Sequence, residues 1–308
     1  QDSSGSSGPD AWNSSEVKHL PLDVFDTLAE LFLIFAQASA VPTQLNQSRM
    51  CCLSKPGRVS NYAIKASDTR PITICSIWYR IWASTLCKKP DFRNWLRQVL
   101  RPEVAGLSHQ DIYENLIEIF DNFHQHGYVL ALDYTKAFDC INCRLSCEIL
   151  TAHGWPPLLI SLLSGIWGQQ SRFVQWDHHT HFDVLNGSEV QPQGDPLGPL
   201  IMTLWVQSGI DSISSSSGIS PNSHFTKVYL DDRTATATTS QHLSKLYDCW
   251  KDWSQNVGLI ENTAKAVVSA VGKACFDRVA AQFPAGMVQR SVKILGAVSC
   301  SGRRQIHE

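Results

Sequence analysis

Two short stretches constrain this chain more than anything else in it. Val129-Leu130-Ala131-Leu132-Asp133 and Phe225-Thr226-Lys227-Val228-Tyr229-Leu230-Asp231-Asp232 are each a run of β-favouring, apolar residues that ends in a carboxylate. An unpaired charge at the end of a buried strand is costly, so a strand that delivers an acid in this way predicts a cation or a strong partner waiting for it. Two such strands side by side can set two Mg²⁺ ions roughly 3.5–4 Å apart, the arrangement used to move a phosphoryl group between oxygens. A lone aspartate at a strand end is most often a turn residue or a helix cap. The tandem pair Asp231-Asp232, matched by a second acid strand about a hundred residues earlier, is much more specific.

The rest of the chain sets bounds on that reading. With 308 residues, 43% of them hydrophobic and 18% charged, the chain has the composition of a folded protein with a sizeable core. Its formal net charge of −2 argues mildly against a polyanion ligand, since phosphates are bound by Lys and Arg. An acid cluster lowers that sum, however, and a local basic groove can hide inside it. The ten cysteines are scattered and no signal peptide precedes them, so reduced thiols are expected. The longest apolar stretch, around Leu31–Ala36, falls short of the ~20 residues that span a bilayer, so no membrane partner is expected.

Residues 1–20 read as a flexible Ser/Gly-rich leader and 301–308 as a frayed tail. Helical periodicity is expected over 21–39, 72–86, 91–100, 110–123, 141–152 (with Asp139 as N-cap), 156–166, 194–213 and 241–257. Strands are expected in 49–75, at 128–133, in a hairpin of 172–176 with 182–185 around Asp177–His181, at 224–230 with a return at 235–238, and at 265–271 and 292–298. A Ser-rich loop is expected over 212–223. Cys140, Cys143 and Cys147 lack a second Cys/His pair at finger spacing and read as core cysteines rather than a zinc site.

In order along the chain, Leu132-Asp133-Tyr134-Thr135-Lys136-Ala137-Phe138-Asp139, Gln191-Pro192-Gln193-Gly194-Asp195-Pro196-Leu197-Gly198-Pro199-Leu200, Tyr229-Leu230-Asp231-Asp232, Gly258-Leu259-Ile260-Glu261-Asn262 with Lys265, and Val292-Lys293-Ile294-Leu295-Gly296 resemble five successive motifs of the reverse transcriptase domain of non-LTR (LINE-type) retrotransposons. Thr69-Arg70-Pro71-Ile72 and Gln110-Asp111-Ile112 resemble upstream finger segments, so the likeness runs from about Met50 to Val298. It implies an α+β fold: a polymerase palm, which is a small antiparallel sheet backed by helices, with helical fingers and the thumb largely missing. On that pattern the domain is 21–300, with fingers at about 21–127 and 154–190 and palm at about 128–153 and 191–300. Neither an endonuclease segment nor a C-terminal Cys/His knuckle is seen.

The resemblance also assigns roles. Asp133, Asp231 and Asp232 would hold two Mg²⁺ ions, with Mn²⁺ as an alternative. Lys265 would give a proton to departing pyrophosphate. Arg70, with Lys65 or Lys55 nearby, would cover the triphosphate, for which the planar guanidinium fork is suited. Tyr134 would lie at the nucleotide. Phe138 would lie under the sugar and exclude a 2′-hydroxyl, and Gln193-Gly194 would let backbone approach the nucleotide and template. The implied partners are an RNA template, a DNA primer and a dNTP. Two rivals remain: an RNA-dependent RNA polymerase, against which Phe138 speaks, and a catalytically decayed remnant. The second is suggested by Arg233, a cation directly after the Asp pair where the family carries a small or neutral residue.

Overall fold

The computed structural model describes residues 7–55, 69–105, 110–176, 179–186, 189–295 and 297–300. The strands among the described residues, in chain order, are β1 (Gln47–Ser54), β2 (Thr69–Cys75), β3 (Val104–Ala105), β4 (Tyr128–Leu132), β5 (Ser171–Trp176), β6 (His179–Asn186), β7 (His224–Tyr229), β8 (Asp232–Ala237), β9 (Val267–Ala270), β10 (Ser291–Ile294) and β11 (Ala297–Cys300). Contacts divide the chain into two compact units, each assembled from two segments. The first holds residues 1–99 and 141–198, the second 100–140 and 199–308. Because the chain enters each unit twice, no single linker marks the division. The fold is mixed helix and sheet, with antiparallel pairing dominant.

The first unit is built on a four-stranded sheet ordered β2-β1-β5-β6, in which only the β1–β5 pair is parallel. Helices Leu22–Ala38, Ile77–Lys88, Pro90–Val99, Cys143–Ala152 and Pro157–Gly168 accompany it. The helix expected from residue 72 starts later. Ile72, Thr73 and Ile74 are β-branched and pair with Cys51, Met50 and Arg49 in β1, so the strand continues to Cys75 before the helix opens at Ile77. The helix expected from 141 begins at Cys143. Its N-cap is Asn142, whose side chain accepts from Leu145 N at 2.9 Å, worth about 1 kcal/mol. Asp139 sits instead in the 3₁₀ turn Ala137–Cys140 of the second unit. The tip of the β5–β6 hairpin, 177–178, lies outside the described residues.

The second unit is built on a five-stranded sheet ordered β3-β7-β8-β4-β9. β4 lies near its centre, with Val129 and Leu130 both fully buried. Such burial of successive residues requires cover on both faces. Helices Gln110–His126 and Ser240–Asn256 both pack on the sheet. Ile119 and Phe123 of the first join Val129, Val292 and Ile294 in one core cluster. Leu243, Leu246, Trp250 and Trp253 make the buried stripe of the second at helical spacing. Trp250 and Trp253 press on Gly209 of helix Gly198–Ser216, where an added Cβ would stand 2.7 Å from the Trp250 ring. That helix runs into the stretch expected to be a loop: the Ser215 and Ser216 hydroxyls donate to Ser212 O at 2.8 and 2.7 Å, staying within its own turns. The helix Lys273–Gln282 and the β10–β11 hairpin complete the unit. Among the described residues no helix is long and apolar enough to cross a membrane.

Candidate active site

β4 runs antiparallel to β8, and β7 and β8 form a tight hairpin. The register pairs Leu132 with Arg233 and Tyr229 with Asp232. Asp133, the residue after β4, therefore emerges at the same edge of the sheet as the Leu230-Asp231 turn. Leu230 has φ +54°, a left-handed conformation that a bulky side chain rarely adopts. The hairpin is thus closed by strain at the residue before the first acid.

The Asp133 charge acts on both Asp231 and Asp232. The Asp231 carboxyl is pushed up by burial, which a backbone hydrogen bond eases, and further by the Asp133 charge, with Arg233 and Lys265 offsetting the rise only in part. The Asp232 carboxyl is pushed up to about 6 by burial, then by Asp231 and Asp133. Like charges gathered in a half-desolvated corner raise each other's proton affinity, and a cation is what relieves them.

One cation is present in the protein itself. Lys265 Nζ donates to Asp133 Oδ2 at 2.5 Å, with the lysine side chain 68% exposed and the aspartate 16%. That hydrogen bond, foremost among the causes, raises the ammonium's pKa. The backbone delivers it. Thr135 N donates to Ile260 O at 2.8 Å, Asn262 N to Asp133 O at 2.9 Å, and Lys265 N to Asn262 O at 3.0 Å, so the segment after helix Ser240–Asn256 is laid along residues 133–135. Among the described residues no three His, Cys, Asp or Glu side chains form a ready ligand cage, and Asp133 is engaged by Lys265. Hard oxygen donors in a charge-rich corner still suit Mg²⁺, which takes one or two carboxylates and completes its shell with water and phosphate oxygens.

Arg233 points away from this corner. Successive strand residues face opposite sides of a sheet, so the residue after Asp232 turns inward. Its side chain is 1% exposed and forms a two-pronged ion pair with Glu261, at 2.7 Å to Oε1 and 2.8 Å to Oε2. The guanidinium lies 3.5 Å from the Tyr134 ring centroid and 5.1 Å from that of Trp250. Ser254 Oγ donates to Glu261 Oε1 at 2.7 Å, and the Tyr134 and Ser254 hydroxyls are 3.0 Å apart. The Tyr134 ring is covered by Arg233 and 3% exposed. Glu261, Ser254 and Trp250 were not expected at the site. The period-two pattern of β8 is the signal that could have found them, because it sends Arg233 inward to a required counter-charge.

The remaining expected residues are distributed between the units. Phe138 is half-buried on the 3₁₀ turn of the second unit, after Lys136 at φ +51°. In the first unit, Arg70 is exposed on β2 opposite Leu53, and Lys55 is half-buried just past β1. Lys65 lies outside the described residues. Gln193 O accepts from Thr73 N at 2.6 Å. Gly194, at φ +113°, sits so close to β2 that a Cβ would meet Thr73 O at 2.3 Å. The glycine requirement seen here is thus contact with the protein's own strand rather than with a ligand. Next to it Asp195, read from sequence as a helix start, is a fully enclosed carboxylate. It accepts from Tyr79 Oη at 2.9 and 3.0 Å, from Trp167 Nε1 at 3.0 Å and from Leu197 N at 2.8 Å.

Residues 54–298 match the family described as reverse transcriptase (RNA-dependent DNA polymerase). Over 272 residues, 85% of the chain, the sequence is 24% identical to the Retrovirus-related Pol polyprotein from type-2 retrotransposable element R2DM of Drosophila melanogaster. Together these support a reverse transcriptase domain of a non-LTR retrotransposon. Among solved structures, apo telomerase from Candida tropicalis is similar with a TM-score of 0.61 at 10% identity, covering 93% of this chain and 53% of that one. The same telomerase truncated from its C-terminal domain gives 0.58 at 11%, covering 91% and 59%. These likenesses are of fold. The chain spans about a quarter (24%) of its curated relative's length.

Proposed function

The chain belongs to the reverse transcriptase (RNA-dependent DNA polymerase) family, and on that premise we propose that it extends a primer 3′-hydroxyl with deoxynucleoside triphosphates on an RNA template. The observation that carries this reading is that Asp133 emerges beside the Leu230-Asp231 turn and its charge pushes up the carboxyls of both Asp231 and Asp232, with Lys265 hydrogen-bonded to Asp133. The second unit then serves as the palm and the first as the fingers.

Reverse transcriptases use divalent ions, and the three acids fit a pair of Mg²⁺ ions, or Mn²⁺, on donor chemistry and on the upward push left on Asp231 and Asp232. When bound, such ions acidify the attacking hydroxyl and neutralise charge on the leaving oxygens. The chain's own part is positional and electrostatic. Asp133 and Asp231 fix where positive charge collects, and Asp232 adds to the field from the start of β8. Lys265, whose hydrogen bond to Asp133 favours its protonated form, brings an ammonium proton at Nζ to the site, the proton it would give to departing pyrophosphate. Phe138, half-buried beside this strand end, closes the space a 2′-hydroxyl would need. The family resemblance proposes Arg70, Lys65 and Gln193 as the residues that contact the triphosphate and the nucleotide.

Primer extension on poly(rA)/oligo(dT) with Mg²⁺ or Mn²⁺ tests this. Asp231→Asn should lower the rate roughly a thousandfold while the protein stays folded. An inactive parent protein ends the proposal. Phe138→Ala should raise NTP use relative to dNTP about tenfold. An unchanged ratio removes Phe138 from substrate choice.

A further inference from the structure

We infer that the buried Arg233–Glu261 pair is a positioning device that sets the spacing of the acids, so that the arginine directly after the Asp pair supports the site instead of marking its decay. The inference rests on reading Asp133, Asp231 and Asp232 as a divalent-cation site.

Three backbone segments bring the site together, and the ion pair fastens all three. Arg233 adjoins Asp232 on β8, paired across to Leu132 of β4. Glu261 bridges to Tyr134, the neighbour of Asp133, and its own neighbour Asn262 donates to Asp133 O. Lys265 follows one turn later, its N–H on Asn262 O. The guanidinium is stacked on the Tyr134 ring, so the fork cannot rotate without moving the residue next to Asp133.

Stability alone does not account for such a pair. Replacing a buried ion pair with apolar side chains of similar size is often neutral or stabilising, whereas removing one partner is severe. What the fork adds is direction: two parallel hydrogen bonds fix the angle as well as the distance between β8 and the 258–266 segment. Lysine supplies the charge without the fork or the flat stacking face. Residues behind a cation site that hold its ligands in place typically alter affinity or activity about 10–100-fold when changed.

The experiment uses the full chain and three proteins beside the parent: Arg233→Met combined with Glu261→Leu, Arg233→Lys, and Asp231→Asn as the site control. Folding is followed by circular dichroism and thermal midpoint, cation binding by Mn²⁺ titration with paramagnetic resonance, and turnover by primer extension. The apolar double variant should fold with a midpoint near the parent's. Its Mn²⁺ dissociation constant should rise about tenfold and its kcat fall about thirtyfold, while KM for dNTP changes less than about threefold. Arg233→Lys should fall between. A folded double variant that binds Mn²⁺ and turns over within about twofold of the parent overturns the inference. If the double variant does not fold, an unchanged Mn²⁺ affinity in Arg233→Lys overturns it. So does parental Mn²⁺ binding that Asp231→Asn leaves untouched. Weakened Mn²⁺ binding in the variants of a parent that extends no primer upholds the positioning role and removes the polymerase reading. A fully active double variant does the reverse.

Discussion

Each unit carries carboxyl groups pushed up by burial, Asp195 in the first and Asp231 and Asp232 in the second, and the two resolve that burden in opposite ways. In the first unit Asp195 is surrounded by neutral donors: the Tyr79 hydroxyl, the Trp167 indole and the Leu197 amide. Those donors ease the shift that burial imposes. In the second unit the Asp133 charge adds to the shift of both Asp231 and Asp232, and the Asp231 charge adds to that of Asp232, while Arg233 and Lys265 offset it only in part. A desolvated acid among donors is structural. A desolvated acid among acids is poised for a cation. Raised proton affinity alone would not separate them; a neighbouring carboxylate among the raising causes does.

That contrast is broken most forcefully at Asp195. Asp195→Ala leaves a phenol, an indole N–H and an amide buried without acceptors, and should cost about 3–4 kcal/mol in urea unfolding. Asp195→Asn keeps one acceptor oxygen and should cost less. Asp231→Asn, which removes a like charge, should not lower the urea midpoint although it stops turnover. If Asp195→Ala stays within about 0.5 kcal/mol of the parent, the donors around it are not what holds the 191–197 segment.

The same contrast shows what could be read from the sequence. The acid strands were legible because apolar runs ending in carboxylates are rare, and β4, β7 and β8 lie within a few residues of where alternation puts them. The family assignment was legible because five motifs occur in order. Asp195 was not, since Gly-Asp-Pro makes a turn before a helix whether its carboxylate caps that helix or is enclosed by partners 28 and 116 residues earlier in sequence. Arg233 was ambiguous because its counter-charge lies 28 residues on. Helix Lys273–Gln282 escaped notice because it buries only Val279 and so carries no apolar stripe. Local rules find acids and strands; they do not find which distant donor or charge completes them.

A subtler test uses pH in the absence of divalent ions. The Asp232 carboxyl, pushed up to about 6, binds its proton more tightly folded than unfolded, where a value near 3.9 is expected. Between those values the folded state holds the extra proton, so this group's stabilisation is complete below about pH 4 and is lost as pH rises through about 6. Asp232 is reached by solvent at the start of β8, so screening should keep the effect to about 1 kcal/mol or less. The parent's fall in thermal midpoint between pH 4.5 and 7 should therefore shrink in Asp232→Asn, and should shrink in the parent when Mg²⁺ is added. Parallel profiles for the two proteins would mean that the acids do not repel one another.

The smallest expected effect lies in the residue preceding each acid. Asp195 follows Gly194 at φ +113°, where glycine bears no strain, whereas Asp231 follows Leu230 at φ +54°. A left-handed leucine costs about 1–2 kcal/mol. Leu230→Gly relieves that cost but frees the unfolded chain by about 0.4–1 kcal/mol and gives up some half-buried apolar contact. The net change in stability should be close to zero, on the order of +0.5 kcal/mol at most. Turnover should nonetheless fall severalfold, because a glycine hinge beside Asp231 lets the carboxylate leave the position the strained turn imposes. Urea midpoints and primer-extension rates on the same preparation decide the matter. If rate and stability rise together, the leucine is a tolerated defect and the turn needs no strain to aim its acid.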